Sequence, residues 1–248
     1  MNQSFYIGAV GAAQQQQKMN LVGNNIANVN SYGFKAEKGR FAALMYSDMK
    51  NAEEEMLPVG TGAALWSSDT DFTQGTAAAT GREHDYMIEG SGFFALADLK
   101  TGEISLTRNG AFVVASLQRP TGAEDESGQP IMEKVFYLSD GEGRFVLSEM
   151  GGMIEMGENA EQQSVGVYDY INYNGMEHVG DTRFLAVDKN GGIRKGEGTV
   201  VQGMLESSNV DLAEEMTKII EAQRAYSMAL KVVQTSDEIE TTINNLRT

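Results

Sequence analysis

The sequence predicts an α+β protein: long N- and C-terminal helices pair as a coiled-coil-like domain around a central, mainly antiparallel β domain. Three observations carry that expectation. Residues 1–34 hold a single charged side chain, Lys18, and repeat apolar residues at helical spacing. Residues 69–204 alternate short β-like runs with Gly, Asn and Asp turns and contain most of the chain's 28 glycines. From Ser208 to the end the sequence reads as one amphipathic helix. The expected boundaries are a terminal helical domain at 1–40 and 205–248, a connecting segment at 41–68 and a β-rich middle at 69–204.

In the first element Phe5, Ala12, Met19 and Ile26 fall seven apart, with Ala9, Gln16 and Gly23 between them at the three/four spacing of a helix seam. Gly8, Gly11 and Gly23 each weaken the helix by about 1 kcal/mol relative to Ala, so packing has to hold it. Its polar positions are Gln, Asn and Ser, which desolvate more cheaply than ions. The stretch NNIANVNSYGF ends it, because Asn tolerates the left-handed conformation and Gly33 adopts it freely. The acidic run Glu53–Glu55, followed by Pro58 and Gly60, reads as a solvated loop.

The middle reads as strands in DYMIEG, GFFALADL, ISLTRNGAFVV, KVFYLSD, GRFVLSE, SVGVYDYINY and RFLAVD, with KTGE and RNGA as tight-turn candidates. In the last element Ser208 or Asn209 is placed to cap, and Glu214 and Glu215 suit the positive end of the helix dipole. Leu212, Met216, Ile219, Gln223, Tyr226, Leu230 and Val233 keep a four/three spacing. Beyond them the stripe shifts to Ile239, Ile243 and Leu246, as expected where a helix changes neighbours.

Composition removes several functions. The chain has 248 residues, 41% of them hydrophobic, which is enough for a core. A net charge of −16 repels phosphates and anionic lipid, so nucleic acid and membrane insertion are not expected. The absence of cysteine excludes disulfides, thiolate metal sites and cysteine nucleophiles. The N-terminus lacks a basic segment and runs into four glutamines, so a cleaved signal peptide is not expected. No run approaches the roughly 18 apolar residues of a membrane span.

No catalytic, cofactor or metal site assembles from the motifs. GSGFFA (Gly90–Ala95) fits a loose dinucleotide pattern but continues into a β-like run where a helix is required. Asp69, Asp71 and Thr73 resemble the opening of a calcium loop, yet Gln74 stands at its glycine and Thr80 at its closing carboxylate. His84 and His178, without cysteine or HExxH, fall short of a zinc site. His84 and Asp85 are adjacent and point apart in a strand, and no nucleophile elbow or phosphate loop is present. Glu124, Asp125 and Glu126 beside Pro120 and Gly128 read as a solvated loop.

NNIANVNSYGFK near one end and SSNVDLAEEMTKIIEAQRAY near the other resemble the signature segments of the flagellar rod and hook family of bacterial axial proteins. MIEGSGFFAL, LTRNGAFVV, VGVYDYINYNGMEHVGDTRFLAV and VVQGMLESSNV continue the likeness. PVGTGAAL, DFTQGT and the modest length are most similar to rod members, hook members having an added outer domain. Residues 114–160 depart from the family pattern. The resemblance implies a non-enzymatic structural subunit of the basal body, exported by the flagellar type III apparatus and stacked helically. Its terminal helices would line a channel, with the β domain outside. Partners would be other copies, neighbouring rod and hook subunits and the export apparatus. Candidate assembly residues are Phe5, Ala12, Met19, Asn24, Asn25, Ile26, Asn28, Asn30, Gly33 and Phe34. On the C-terminal side they are Asn209, Val210, Leu212, Met216, Ile219, Gln223, Arg224, Tyr226, Leu230 and Val233. Two other classes stay open on the residues alone: an enzyme built on the β domain, and a soluble binding module whose helices dock on it.

Overall fold

Two long helices bracket the chain. α1 spans Gln3–Ala27 and α2 spans Leu212–Leu246. The computed structural model describes residues 3–44, 46–50, 56–60, 62–124, 130–157, 164–180 and 182–246. Glu53–Glu55 and Asp125–Glu126, read as solvated loops, lie outside them. The fold is α+β and divides into two units. One comprises residues 1–29, 36–71 and 210–248; the other comprises 30–35 and 72–209.

In the first unit, α1 and α2 lie side by side with a hairpin against α1. That hairpin pairs Glu37–Ala43 with Ala63–Thr70, where the sequence suggested only a connector. It continues as Tyr46–Lys50 paired with Met56–Gly60. Its inner side meets α1 through Gly39, whose missing side chain leaves room for Leu21 and Leu65. The Gln14 side-chain carbonyl accepts a hydrogen bond from the Leu65 amide at 2.6 Å. The outer side carries ion pairs from Lys38 to Asp71, at 2.6 Å, and from Arg40 to Asp69. Those pairs occupy two of the carboxylates that resembled a calcium loop. The register shifts between Arg40 and Phe41, leaving Trp66 as the bulged residue, 80% exposed.

α2 is capped by Asp211, not by Ser208 or Asn209. Its carboxylate accepts from the amides of Ala213 and Glu214 at 2.9 and 3.2 Å. Asn209 instead donates to the carbonyl and hydroxyl of Thr73, both at 3.1 Å. At the end of α1, none of the asparagines adopts positive φ. Gly33 does, at 69°, and a β-carbon there would lie 2.3 Å from the Asn109 amide nitrogen.

The second unit is built on a seven-stranded antiparallel sheet. Its order is Glu177–His178, Arg183–Leu185, Ile104–Thr107, Phe94–Asp98, Arg144–Val146, Pro130–Ser139 and Val113–Glu124. The period-two alternation sends Phe94, Leu96, Leu138 and Val146 to one buried cluster. Phe93, Ala95, Leu106 and Phe184 go to the other. GSGFFA therefore leads into a central strand. KTGE joins Phe94–Asp98 to Ile104–Thr107 with Gly102 at φ 73°. RNGA is not a tight turn: Ile104–Thr107 and Val113–Glu124 do not pair with each other, and Gly110 lacks positive φ. Gly110 is needed for space instead, since a β-carbon would fall 1.8 Å from the Tyr86 carbonyl oxygen.

The most demanding feature of this unit is ionic. Glu206, at the end of the strand Met204–Glu206, is 1% exposed. One carboxylate oxygen accepts from Lys35 Nζ at 2.5 Å and from the Gly75 amide at 2.8 Å; the other accepts from Arg108 at 3.0 Å. Lys35 also donates to the Thr73 carbonyl at 2.7 Å, and Arg108 to the Gly90 carbonyl at 2.7 Å. Arg108 further lies over the Phe93 ring, 5.4 Å from its centroid. The Gly33 amide donates to the Glu206 backbone carbonyl at 2.7 Å.

Removing the one anion strands two buried cations. Glu206→Gln is expected to cost about 3–5 kcal/mol, read as a lower urea midpoint with an unchanged slope. Adding Lys35→Met should recover part of the loss, because only one buried cation then lacks its counter-charge. An unshifted midpoint for the single variant would show that the cluster does not hold the unit.

Candidate assembly surface of the terminal helices

The two helices run antiparallel in a steady register. Ser4 lies opposite Ser236, with hydroxyl oxygens 3.3 Å apart. Gly8 lies against Ala229, Val232 and Val233, and Asn25 opposite Glu215. The contact strip of α2 is Glu215, Ile219, Ala222, Tyr226, Ala229, Val233 and Ser236, a four/three repeat made largely of small or polar residues. Of these, Glu215, Ala222 and Ser236 are buried and the others half-buried. On α1 the buried residues are Gly8, Ala12, Val22 and Asn25. Ala12 lies where the spacing put it, but Ala9 and Gln16 are exposed, and Gly8, Val22 and Asn25 are buried in place of Ala9, Gly23 and Ile26, each one position earlier.

Asn25, 1% exposed, is the polar centre of this unit. Its amide nitrogen donates to the Glu37 carbonyl at 2.9 Å and to the Glu215 carboxylate at 3.3 Å. Its side-chain oxygen accepts from the Glu37 amide at 2.9 Å. One side chain thereby joins α1, the hairpin and α2. Lys218 closes the group with ion pairs to Glu214 and Glu215 at 2.8 and 2.7 Å. Burial alone would lower its pKa, but the hydrogen bonds and charges of the two glutamates outweigh that and raise it. Beside these residues is a cleft of about 300 Å³ lined by Leu21, Val22 and Phe41 together with three lysines (Lys18, Lys38 and Lys218) and three glutamates (Glu37, Glu214 and Glu215).

The candidate residues fall into three groups. Ala12, Asn25, Ile219, Tyr226 and Val233 lie on or beside the internal strip. Gly33 and Phe34 are buried and Asn209 is half-buried, all inside the other unit. Phe5, Asn24, Asn30, Leu212, Met216, Gln223, Arg224 and Leu230 are exposed, while Met19, Ile26, Asn28 and Val210 are half-buried. Asn28 donates to the Asn24 carbonyl at 2.9 Å and fastens the last turn of α1. Leu212, Met216 and Leu230 thus lie off the contact strip of α2, as do Ile220, Met228 and Val232, each more than a third exposed. Glu215, Ala222, Ala229 and Ser236 went unread in the sequence because their periodicity is carried by residues with little hydrophobicity. Among the described residues no cluster of His, Asp or Glu suits a metal ion, and no helix is long and apolar enough to cross a membrane.

The closeness of the helices depends on Gly8. A β-carbon there would lie 2.9 Å from Val233 and 3.2 Å from the Ala229 carbonyl oxygen, whereas at Gly23 it would meet nothing within 4 Å. Gly8→Leu is expected to part the helices and lower the thermal midpoint of the helical circular-dichroism signal. Gly23→Ala should raise it, by up to about 1 kcal/mol in stability. Equal effects at the two sites would refute the register.

Comparison with known proteins places these helices. The profile "Flagellar basal body rod FlgEFG protein C-terminal" matches residues 201–246, and "Flagella basal body rod protein" matches residues 5–35. The chain is 32% identical to the flagellar basal-body rod protein FlgG of Buchnera aphidicola subsp. Acyrthosiphon pisum, over 95% of this chain and 96% of that one. It is 29% identical to the FlgG of Borreliella burgdorferi, over 100% and 99%. It is 28% identical to the flagellar basal-body rod protein FlgF of Caulobacter vibrioides, over 96% and 95%. On this end-to-end similarity, the chain belongs to the flagellar basal-body rod protein family and is a structural subunit of the rod, not an enzyme.

Proposed function

We propose that this rod subunit assembles helically with further copies and neighbouring rod and hook subunits through the exposed faces of α1 and α2. The observation that carries the reading is the set of large apolar side chains that α2 leaves exposed outside its contact with α1. Leu212, Met216, Ile220, Met228, Leu230 and Val232 stay open to solvent in the single chain, and so many large apolar side chains left exposed around one helix mark it as an interaction surface. α1 contributes the uncharged side chains of its exposed turns, which neighbours bury at little desolvation cost. Such helices would line the axial channel with neutral polar groups, over which an unfolded subunit slides without strong charge attraction.

The subunit reaches the basal body through the flagellar export apparatus, a route supported by its likeness to basal-body rod proteins.

The reading is tested on the open faces. Met216→Asp and Leu230→Asp should leave the purified chain folded, within about 0.5 kcal/mol of the parent, while abolishing rod assembly and motility. Gln16→Lys and Gln17→Lys, both on exposed positions of α1, should do the same if α1 is enclosed by neighbours. Normal swimming with all four variants would overturn the proposal.

A further inference from the structure

A cavity of about 220 Å³ opens in the second unit, away from the terminal helices. Part of its wall is aromatic: the rings of Phe72, Phe93 and Tyr173 pack together with centroids 5.2 to 5.6 Å apart. The Tyr173 hydroxyl donates to Asp169. Gln74, also in the wall, is held at both ends of its amide. It donates to the Ile88 carbonyl at 3.0 Å and accepts from the Gly90 amide at 3.1 Å. Ser91 adds an exposed hydroxyl.

Arg108 is the one charged residue among the described residues that line this space. Its guanidinium stands at the wall, with Nη2 2.7 Å from the Gly90 carbonyl and the carbon between the nitrogens 5.4 Å from the Phe93 centroid. The cluster it forms with Lys35 and Glu206 holds one more cation than anion. Nη1 is paired with Glu206 at 3.0 Å. Nε, by contrast, is buried and has no hydrogen-bond partner among the described residues. Nε shares one edge of the guanidinium with Nη2, which carries a second hydrogen. A carboxylate matches such an edge, spanning it with two parallel charge-assisted hydrogen bonds.

We propose that this cavity binds a carboxylate, its oxygens on the Nε–Nη2 edge of Arg108 and its carbon skeleton against Phe72, Phe93 and Tyr173. Apolar walls with a few convergent polar groups suit a ligand of that kind. They disfavour an inorganic anion, which needs hydrogen bonds on every side. A free organic acid and an Asp or Glu side chain of another protein chain present the same chemistry. The site is independent of the helix faces through which the subunit assembles.

The test titrates the full chain calorimetrically with benzoate, ionic strength being held constant with chloride, and with benzamide as the neutral isostere. Benzoate should bind saturably at one site and raise the thermal midpoint as its concentration grows. Benzamide should bind about tenfold more weakly. Arg108→Lys keeps the charge without the edge and should lose benzoate binding. Since that change also disturbs Glu206, Ser91→Glu is the second probe: it tethers a carboxylate beside the cavity from an exposed position and should weaken benzoate binding. No saturable binding, or benzamide as strong as benzoate, overturns the proposal. So does undiminished benzoate binding by Ser91→Glu or by a folded Arg108→Lys. The source is then read in two further measurements. An organic acid retained in native mass spectra of the chain isolated in chloride identifies a free ligand. With none retained, a folded Ser91→Glu chain that fails to enter rods identifies a side chain of another protein chain. No retained acid together with normal rods from Ser91→Glu marks the benzoate as adventitious and overturns the site.

Discussion

A single buried carboxylate organises the second unit. Glu206 accepts from Lys35, Arg108 and the Gly75 amide, and so draws together four stretches of chain far apart in sequence. Two cations around one anion leave a net positive charge away from water. Fixed dipoles have to disperse it: the Thr73 and Gly90 carbonyls and the face of Phe93 do so. The arrangement tolerates little displacement, which accounts for the glycines around it. Gly33 lies against the backbone of Arg108 and Asn109, and Gly75 lies against the Ser207 carbonyl, where no side chain fits.

The helical unit solves a similar problem with one neutral residue. Asn25 pairs with the backbone of Glu37 in both directions and still reaches Glu215. A buried amide satisfied on both ends specifies a register without requiring a counter-ion. The small residues that face each other across the helices add closeness, and they leave the larger apolar side chains of α2 for other contacts.

The elements with strong periodicity were legible in the sequence. The terminal helices, the alternating strands around Phe94 and Val146 and the positive φ of Gly33 all follow from local pattern. What escaped was carried by residues whose type gives no local signal. Lys35, Arg108 and Glu206 look like ordinary surface charges until the fold brings them together. The contact strip of α2 was misplaced because Leu212, Met216 and Leu230 outshine Glu215, Ala222 and Ala229 on any hydrophobicity scale. The hairpin from Glu37 to Thr70 was missed because its strands mix Lys, Arg, Ser and Ala, and a bulge interrupts their alternation. The capping residue was misjudged by two or three positions, since Ser208, Asn209 and Asp211 are all chemically suited to the role.

The bulge at Trp66 has an optical consequence. The chain contains one tryptophan, and its indole is 80% exposed on the hairpin of the helical unit. Tryptophan emission from this protein therefore originates at a single known position, unmixed with signal from the sheet. In the free subunit that emission belongs to a wetted indole, red-shifted and open to collisional quenchers. A blue shift or loss of quenching as subunits come together would report dehydration at that hairpin alone.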